Sequence, residues 1–248
     1  MKRFLASTSI CIAALTAPVH AFDITAMNDA ERAALQEEIR AYIMANPQVI
    51  LESVNQMEAQ QQEQQAVDDL ALVAANAEAL FEDGFSWVGG NPEGDVTVVE
   101  FLDYRCGYCR KAHDEVADLL SSDGNIRLII KELPILGEAS TLSSRFAIAT
   151  KQIAGNDAYK AVHDALMAYG GQPTAAAFGR LAESLGLDGA AIVAQMGSDD
   201  VTKEIDDTRA LAQRLAIRGT PTFVMGGQLV RGYVPLDAMK QIVDEARS

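Results

Sequence analysis

Cysteine is scarce, at three residues in 248. That is too few for a secreted framework held together by disulfides. Basic side chains are outnumbered, 20 Lys and Arg against 35 Asp and Glu, and the net charge is −15. No Lys/Arg cluster occurs, which excludes the footprint of a nucleic-acid binder and disfavours adhesion to anionic membranes. Histidine is as rare as cysteine, with three residues, so few nitrogen ligands exist for a metal. Residues 28–83 hold no glycine and one proline, the composition of uninterrupted helix. Apolar residues are not lacking. They make up 49% of the chain, enough for a core, and wholesale disorder is excluded. The length suits one domain of ordinary size plus an extension.

The first 21 residues read as an export signal. Met1-Lys2-Arg3 is a basic head, Phe4 to Pro18 is apolar and uncharged, and Val19-His20-Ala21 supplies the small-x-small pattern before a cut at Ala21/Phe22. The apolar run, about 14 residues, is short for a span of ~30 Å. A retained membrane anchor is the alternative. Cleavage leaves 227 residues, with 18 basic against 35 acidic side chains and a net charge of −17. It also removes Cys11. Cys106 and Cys109 then remain alone in an oxidising compartment.

Residues 22–83 form a helical extension. Asn28 is a candidate N-cap, and Leu35, Ile39, Tyr42 and Ile43 fall on one helical face. Asn46-Pro47 breaks and restarts the helix. A second helix is expected from Pro47 to about Phe81, roughly 50 Å long. Its apolar stripe runs through Ile50, Val54 and Met57, thins across Gln60–Gln65, and resumes at Val67, Leu70, Val73, Ala77 and Leu80. The two readings are an oligomerisation stalk of two or three chains and a flexible linker. The stalk is the expectation.

The main domain, residues 84–248, opens with a short strand near Trp87 and dense turn chemistry through Asp95. Val96 to Tyr104 is apolar except for Glu100 and Asp103, as in a strand buried on both faces. Cys106-Gly107-Tyr108-Cys109 follows. Ala112, Val116, Leu119 and Leu120 then recur at helical spacing, Gly124 offers a stop, and Ile126 to Leu133 reads as a second strand. A dicysteine at a strand–helix junction is the context of a redox motif. The nucleophile in thiol exchange is a thiolate. A helix N-terminus carries positive partial charge and unpaired N–H groups, so Cys106 is the expected attacker, with Arg105 and Arg110 adding positive potential. Cys109, one turn on, is placed to resolve the mixed disulfide. Two other readings exist. A structural disulfide across four residues restrains the unfolded chain little. A zinc or copper site could recruit His113, four residues after Cys109, or His163; otherwise His113 is a surface histidine.

A second constellation lies downstream. Arg218-Gly219-Thr220-Pro221-Thr222-Phe223-Val224-Met225 is a turn entering an apolar strand. Gly226-Gly227 turns a hairpin, Gln228 to Arg231 returns, and Pro235 to Arg247 is an amphipathic closing helix. Together with Val98–Cys109, these residues resemble the thioredoxin superfamily. They are most similar to the DsbA-type thiol-disulfide oxidoreductases, including the stalk-bearing ScsC-like branch, whose N-terminal region residues 46–52 resemble.

The resemblance implies an α/β thioredoxin fold with a helical insertion at about 137–217, preceded by the helical extension. In that insertion, helical segments are expected near 140–154, 157–169, 174–185, 188–196 and 200–216, capping the site and forming part of a substrate groove. Pro221 is implied to be cis and to lie against Cys106, and Thr220 to offer its backbone to an extended substrate. Gly107 and Tyr108, between the cysteines, count with Thr220 as substrate-contacting residues. Glu100 matches a buried acidic group beneath the site. Read from its surroundings alone, a lone carboxylate in an apolar strand has a raised pKa and can take the proton of Cys109. Its alternative is an edge carboxylate facing solvent.

The dipeptide sets the expected direction of exchange. Strong oxidases of the family carry Pro-His there. Gly-Tyr lacks that histidine, so the reduced form is less stabilised and the couple less oxidising. The expected protein is a periplasmic disulfide isomerase or reductase, with a DsbA-like oxidase as the alternative. From a different class, a metal-binding or chaperone-like periplasmic protein is the other alternative. Expected partners are exported cysteine-containing clients, a membrane redox partner and further copies of the chain. No cofactor, metal or nucleic acid is expected.

Overall fold

The apolar stretch Val96–Leu102 forms strand β2, buried at every position except Thr97. Burial on both faces requires helices above and below, and the chain supplies them. The computed structural model describes residues 24–248; the leader assigned to residues 1–21 lies outside the described residues. One mixed sheet is built from β1 (Trp87–Gly90), β2, β3 (Ile126–Glu132), β4 (Thr222–Met225) and β5 (Gln228–Arg231), in the order β1-β3-β2-β4-β5. Only the β2–β3 pair is parallel. Its crossover is α4 (Gly107–Asp123), which starts at the dicysteine and stops on Gly124 at φ 75°, a left-handed position suited to glycine.

Strand alternation divides the sheet into two faces. Val98, Leu102, Leu128, Ile130, Phe223 and Met225 join a core with α4, α5 (Glu138–Met167) and α9 (Leu236–Ala246). Val99, Phe101, Ile129 and Val224 join a second core containing Val73, Leu80 and Leu211. The insertion is helical throughout: α5, α6 (Ala175–Ser184), α7 (Gly189–Gln195) and α8 (Asp199–Arg214). Within α5 the helix is interrupted at Gly155, φ 86°, where the sequence separates two segments.

Before the sheet come α1 (Asp29–Ala45), α2 (Gln48–Ala75) and α3 (Ala77–Phe81). Asn28 caps α1 through a capping box with Glu31. The described residues divide into two compact units, one ending at Ala59 and the other running from Gln60 to Ser248. In the first, α1 has no buried residue, and Ile39, Tyr42, Met44, Ile50, Leu51, Val54 and Met57 are exposed. The second includes residues 60–83, which the sequence places in the extension; Val73 and Leu80 are buried there, and Asp69 pairs with Arg231.

One expectation is corrected. The helix predicted to run from Pro47 to Phe81 ends at Ala75. The Asn76 side-chain amide donates to the Leu72 carbonyl at 2.9 Å, and its oxygen accepts from Arg214 Nε at 2.7 Å. An amide that bonds the preceding turn and a tertiary partner competes with helix continuation, and α3 then turns Leu80 into the core. Among the described residues no helix is long and apolar enough to cross a membrane.

Candidate active site

The turn between β2 and α4 is held by one carboxylate. Asp103, fully buried, accepts from the backbone N–H of Arg105 (2.8 Å), Ile135 (2.9 Å) and Leu136 (3.0 Å). Cys106 is the N-cap of α4 and Gly107 its first residue. The Cys106 thiol donates to the Thr220 carbonyl at 3.1 Å, across the sheet. The Thr220–Pro221 bond is cis, as the resemblance implies, and the Thr222 hydroxyl donates to Gly219 O at 2.9 Å within the same turn. Beside it runs an open groove of about 500 Å³ whose lining includes Arg218, Thr220, Pro221 and Arg231.

The two cysteines, both free thiols, differ in access. Cys106 is 8% exposed and Cys109 is not exposed at all. Burial pushes the Cys109 thiol well above the ordinary range; a backbone hydrogen bond at Asp103 opposes this, and the charges of Glu100 and Cys106 add to it. Tyr108 is largely exposed, and its ring lies 6.1 Å from that of Tyr233. The open space beside Gly107 would accept a side chain, so the fold itself does not demand glycine there.

Glu100 sits in the central strand, opposite Ile130 on one side and Phe223 on the other. It is 3% exposed, which excludes the solvent-facing edge alternative. Burial, then the charge of Glu132, pushes its pKa up to about 8. Its Oε1 has no hydrogen-bond partner. Glu132 is a second buried carboxylate on the same face, raised to about 7 by burial despite three donors: Tyr104 at 2.7 Å, Tyr159 at 2.6 Å and Ser144 at 2.8 Å.

An acid whose folded pKa is raised stabilises the fold fully below its unfolded value, and that stability is lost as pH rises through the folded value. Wild-type stability is therefore expected to fall between pH ~4.5 and ~8. Glu100→Gln removes the Glu100 share of this loss. Its stability relative to wild type in urea melts should rise by a few kcal/mol from pH 5 to pH 8.5. An equal difference at the two pH values would mean that Glu100 titrates as it does in water.

Several residues of the site were not legible in the sequence. Glu132 could have been found by the logic applied to Glu100, a lone acid ending an apolar strand. Tyr159 and Tyr233 carry no such signal. Arg110, expected to add positive potential, uses its guanidinium as a clamp: Nε donates to Tyr104 O at 2.9 Å and Nη2 to Tyr169 O at 2.8 Å, tying the insertion to the site. His113 is no simple surface residue. It is half-buried, pairs with Asp164 at 3.2 Å and packs edge-on to His163. Burial lowers the pKa of both histidines, His163 the more strongly.

The family model of the DSBA-like thioredoxin domain matches residues 97–244. The chain belongs to the DSBA-like thioredoxin family. A second model, the copper resistance protein ScsC N-terminal domain, matches residues 31–64. Among solved structures, this DSBA-like chain is similar to a thioredoxin-like oxidoreductase from Silicibacter pomeroyi DSS-3. The two are 44% identical, with 68% of this chain and 96% of that one covered and a TM-score of 0.64. The catalytic domain of Proteus mirabilis ScsC is 26% identical, covering 71% and 97% of the two chains, with a TM-score of 0.63. Among curated proteins, the Na(+)/H(+) antiporter NhaA 1 of Salinispora arenicola is 30% identical over 163 residues, 64% of this chain. The chain spans 24% of that relative's length. The fold is thus that of the DsbA/ScsC-type thiol-disulfide oxidoreductases.

Proposed function

We propose that this chain is a periplasmic disulfide isomerase or reductase acting on exported proteins through Cys106 and Cys109. One observation carries the reading. A thiol at a helix N-terminus meets the Thr220 carbonyl beside an open groove, while its partner thiol is sealed behind it. The Cys106 thiolate attacks one sulfur of a client disulfide, forming the mixed disulfide and releasing the other sulfur as a thiolate. In isomerisation that client thiolate attacks a different client disulfide, and a client thiolate then displaces Cys106. In reduction Cys109 gives its proton to Glu100 and displaces the client from Cys106, so the client gains two electrons and the pair becomes a disulfide. An extended client pairs with the backbone at Thr220, alongside Pro221, and touches Gly107 and Tyr108.

The Gly-Tyr dipeptide supports isomerase or reductase over oxidase, since the sequence places no histidine beside the thiolate. The decisive assay is refolding of scrambled ribonuclease by the reduced protein, with insulin reduction in parallel. Regain of ribonuclease activity is the expected result. Activity only with reduced ribonuclease and oxidised protein would make the chain an oxidase.

Residues 1–21 are assigned as the cleaved export signal and 22–83 as the self-association segment, with 84–248 as the catalytic domain. The exposed apolar residues of α1 and early α2 support self-association, because water disfavours a stripe of that kind. Light scattering should give a mass of two or three chains for residues 22–248 and of one chain after deletion of residues 22–59, which leaves the buried Val73 and Leu80 in place. A monomer in both would sink the assignment.

A further inference from the structure

We propose that His113, His163 and Asp164 form a binding site for one zinc-class divalent cation, separate from the cysteines. His113 lies on α4 and the other two lie side by side on α5. One donor atom from each falls within 4.8 Å of the others, and neither cysteine belongs to the group. His113 Nε2 stands 3.2 Å from Asp164 Oδ1. Two ligands on a tetrahedral ion with bonds of about 2.0–2.1 Å lie about 3.3 Å apart. The two imidazoles cross at 61° with centroids 5.0 Å apart, and binding would draw the three donors together from their present spread of up to 4.8 Å.

The deciding feature lies behind His163. Its Nδ1 is 3.0 Å from the Tyr104 hydroxyl. Tyr104 has one proton, and it goes to Glu132 Oε1 at 2.7 Å. The Tyr104 oxygen therefore accepts, and His163 Nδ1 carries the ring proton. That leaves Nε2 with its lone pair. A histidine whose far nitrogen donates into a chain ending on a carboxylate is the outer support that metal-bound histidines have. Here that chain is buried: His163 is 3% exposed and Glu132 5%.

Two imidazole nitrogens and one carboxylate oxygen suit zinc and its neighbours in the first transition row, with the remaining positions left for water. The entry side is open, because the Asp164 side chain is 43% exposed. One cation already competes there. Lys160 Nζ contacts both Asp164 oxygens, at 2.7 and 2.5 Å. Its side chain is 45% exposed and can swing into water, handing one oxygen to the ion.

The test is calorimetric titration of the untagged, disulfide-oxidised chain of residues 22–248 with zinc chloride, since oxidation removes the Cys106 and Cys109 thiolates as ligands and Cys11 is absent. One zinc per chain is expected, together with a raised melting temperature. His113→Gln and Asp164→Asn, both at partly exposed positions, should each weaken binding by about tenfold or more, and Lys160→Met should tighten it. No uptake by the oxidised chain at about 1 mM zinc, where even a weak site with Kd near 1 mM would be half filled, would overturn the proposal. So would unchanged affinity in His113→Gln. Neither result touches the thiol-exchange reading, which the ribonuclease assay tests by itself.

Discussion

Cys109→Ala is expected to accumulate a covalent complex with client proteins, and Cys106→Ala to form none. The reason is access. Cys106 keeps 8% of its surface exposed and bonds the carbonyl of Thr220, which lines the groove, whereas Cys109 has no exposed area and a thiol pushed well above the ordinary range. Only Cys106 can meet a client sulfur. Without Cys109 the mixed disulfide loses its resolving thiol, so insulin reduction should fall to the uncatalysed rate. Some unscrambling of ribonuclease should persist, because a client thiol can still displace Cys106. Cys106→Ala should lose both activities. Non-reducing gels of each variant incubated with a disulfide-containing client read the difference directly. A complex trapped by Cys106→Ala instead would reverse the assigned roles.

Asp83→Ala is expected to destabilise the fold by about 3–5 kcal/mol, the cost of leaving a buried charge without its partner. Lys131 points from β3 to the side of the sheet away from Glu100. Its side chain has no exposed area, and Nζ donates to Asp83 Oδ2 and to Ala79 O at 2.8 Å. Burial lowers the Lys131 pKa, and Asp83 is what opposes this. With Asp83 gone the ammonium keeps one carbonyl partner. A base whose folded pKa is depressed recovers stability as pH rises toward its unfolded value, so the deficit in urea melts should shrink between pH 7 and pH 10. Lys131→Met in the same chain removes the stranded charge and should restore most of the loss. A double variant as weak as Asp83→Ala would place the damage elsewhere, in the Asp83 contacts to Ser86.

The readable parts of this protein are local. Asn28 announces an N-cap, the apolar run from Val96 to Tyr104 a buried strand, and Gly124 a helix stop; the cap and the stop form there, and the strand spans Val96–Leu102. The helix break at Asn76 is not legible in the sequence because it rests in part on Arg214, whose approach no local pattern encodes. The clamp of Arg110 on Tyr169 is illegible for the same reason.

The sequence by itself determined the elements, the thiol pair at a strand–helix junction and the family that pair resembles. Period, capping and spacing act within a few residues of chain. Tertiary structure alone decided which charges are buried and what they meet. Glu132 gathers Tyr104, Tyr159 and Ser144; Lys131 is sealed against Asp83; His113 stands against His163 and Asp164. Desolvation and pairing set how such groups ionise, and both arise only when distant segments pack together.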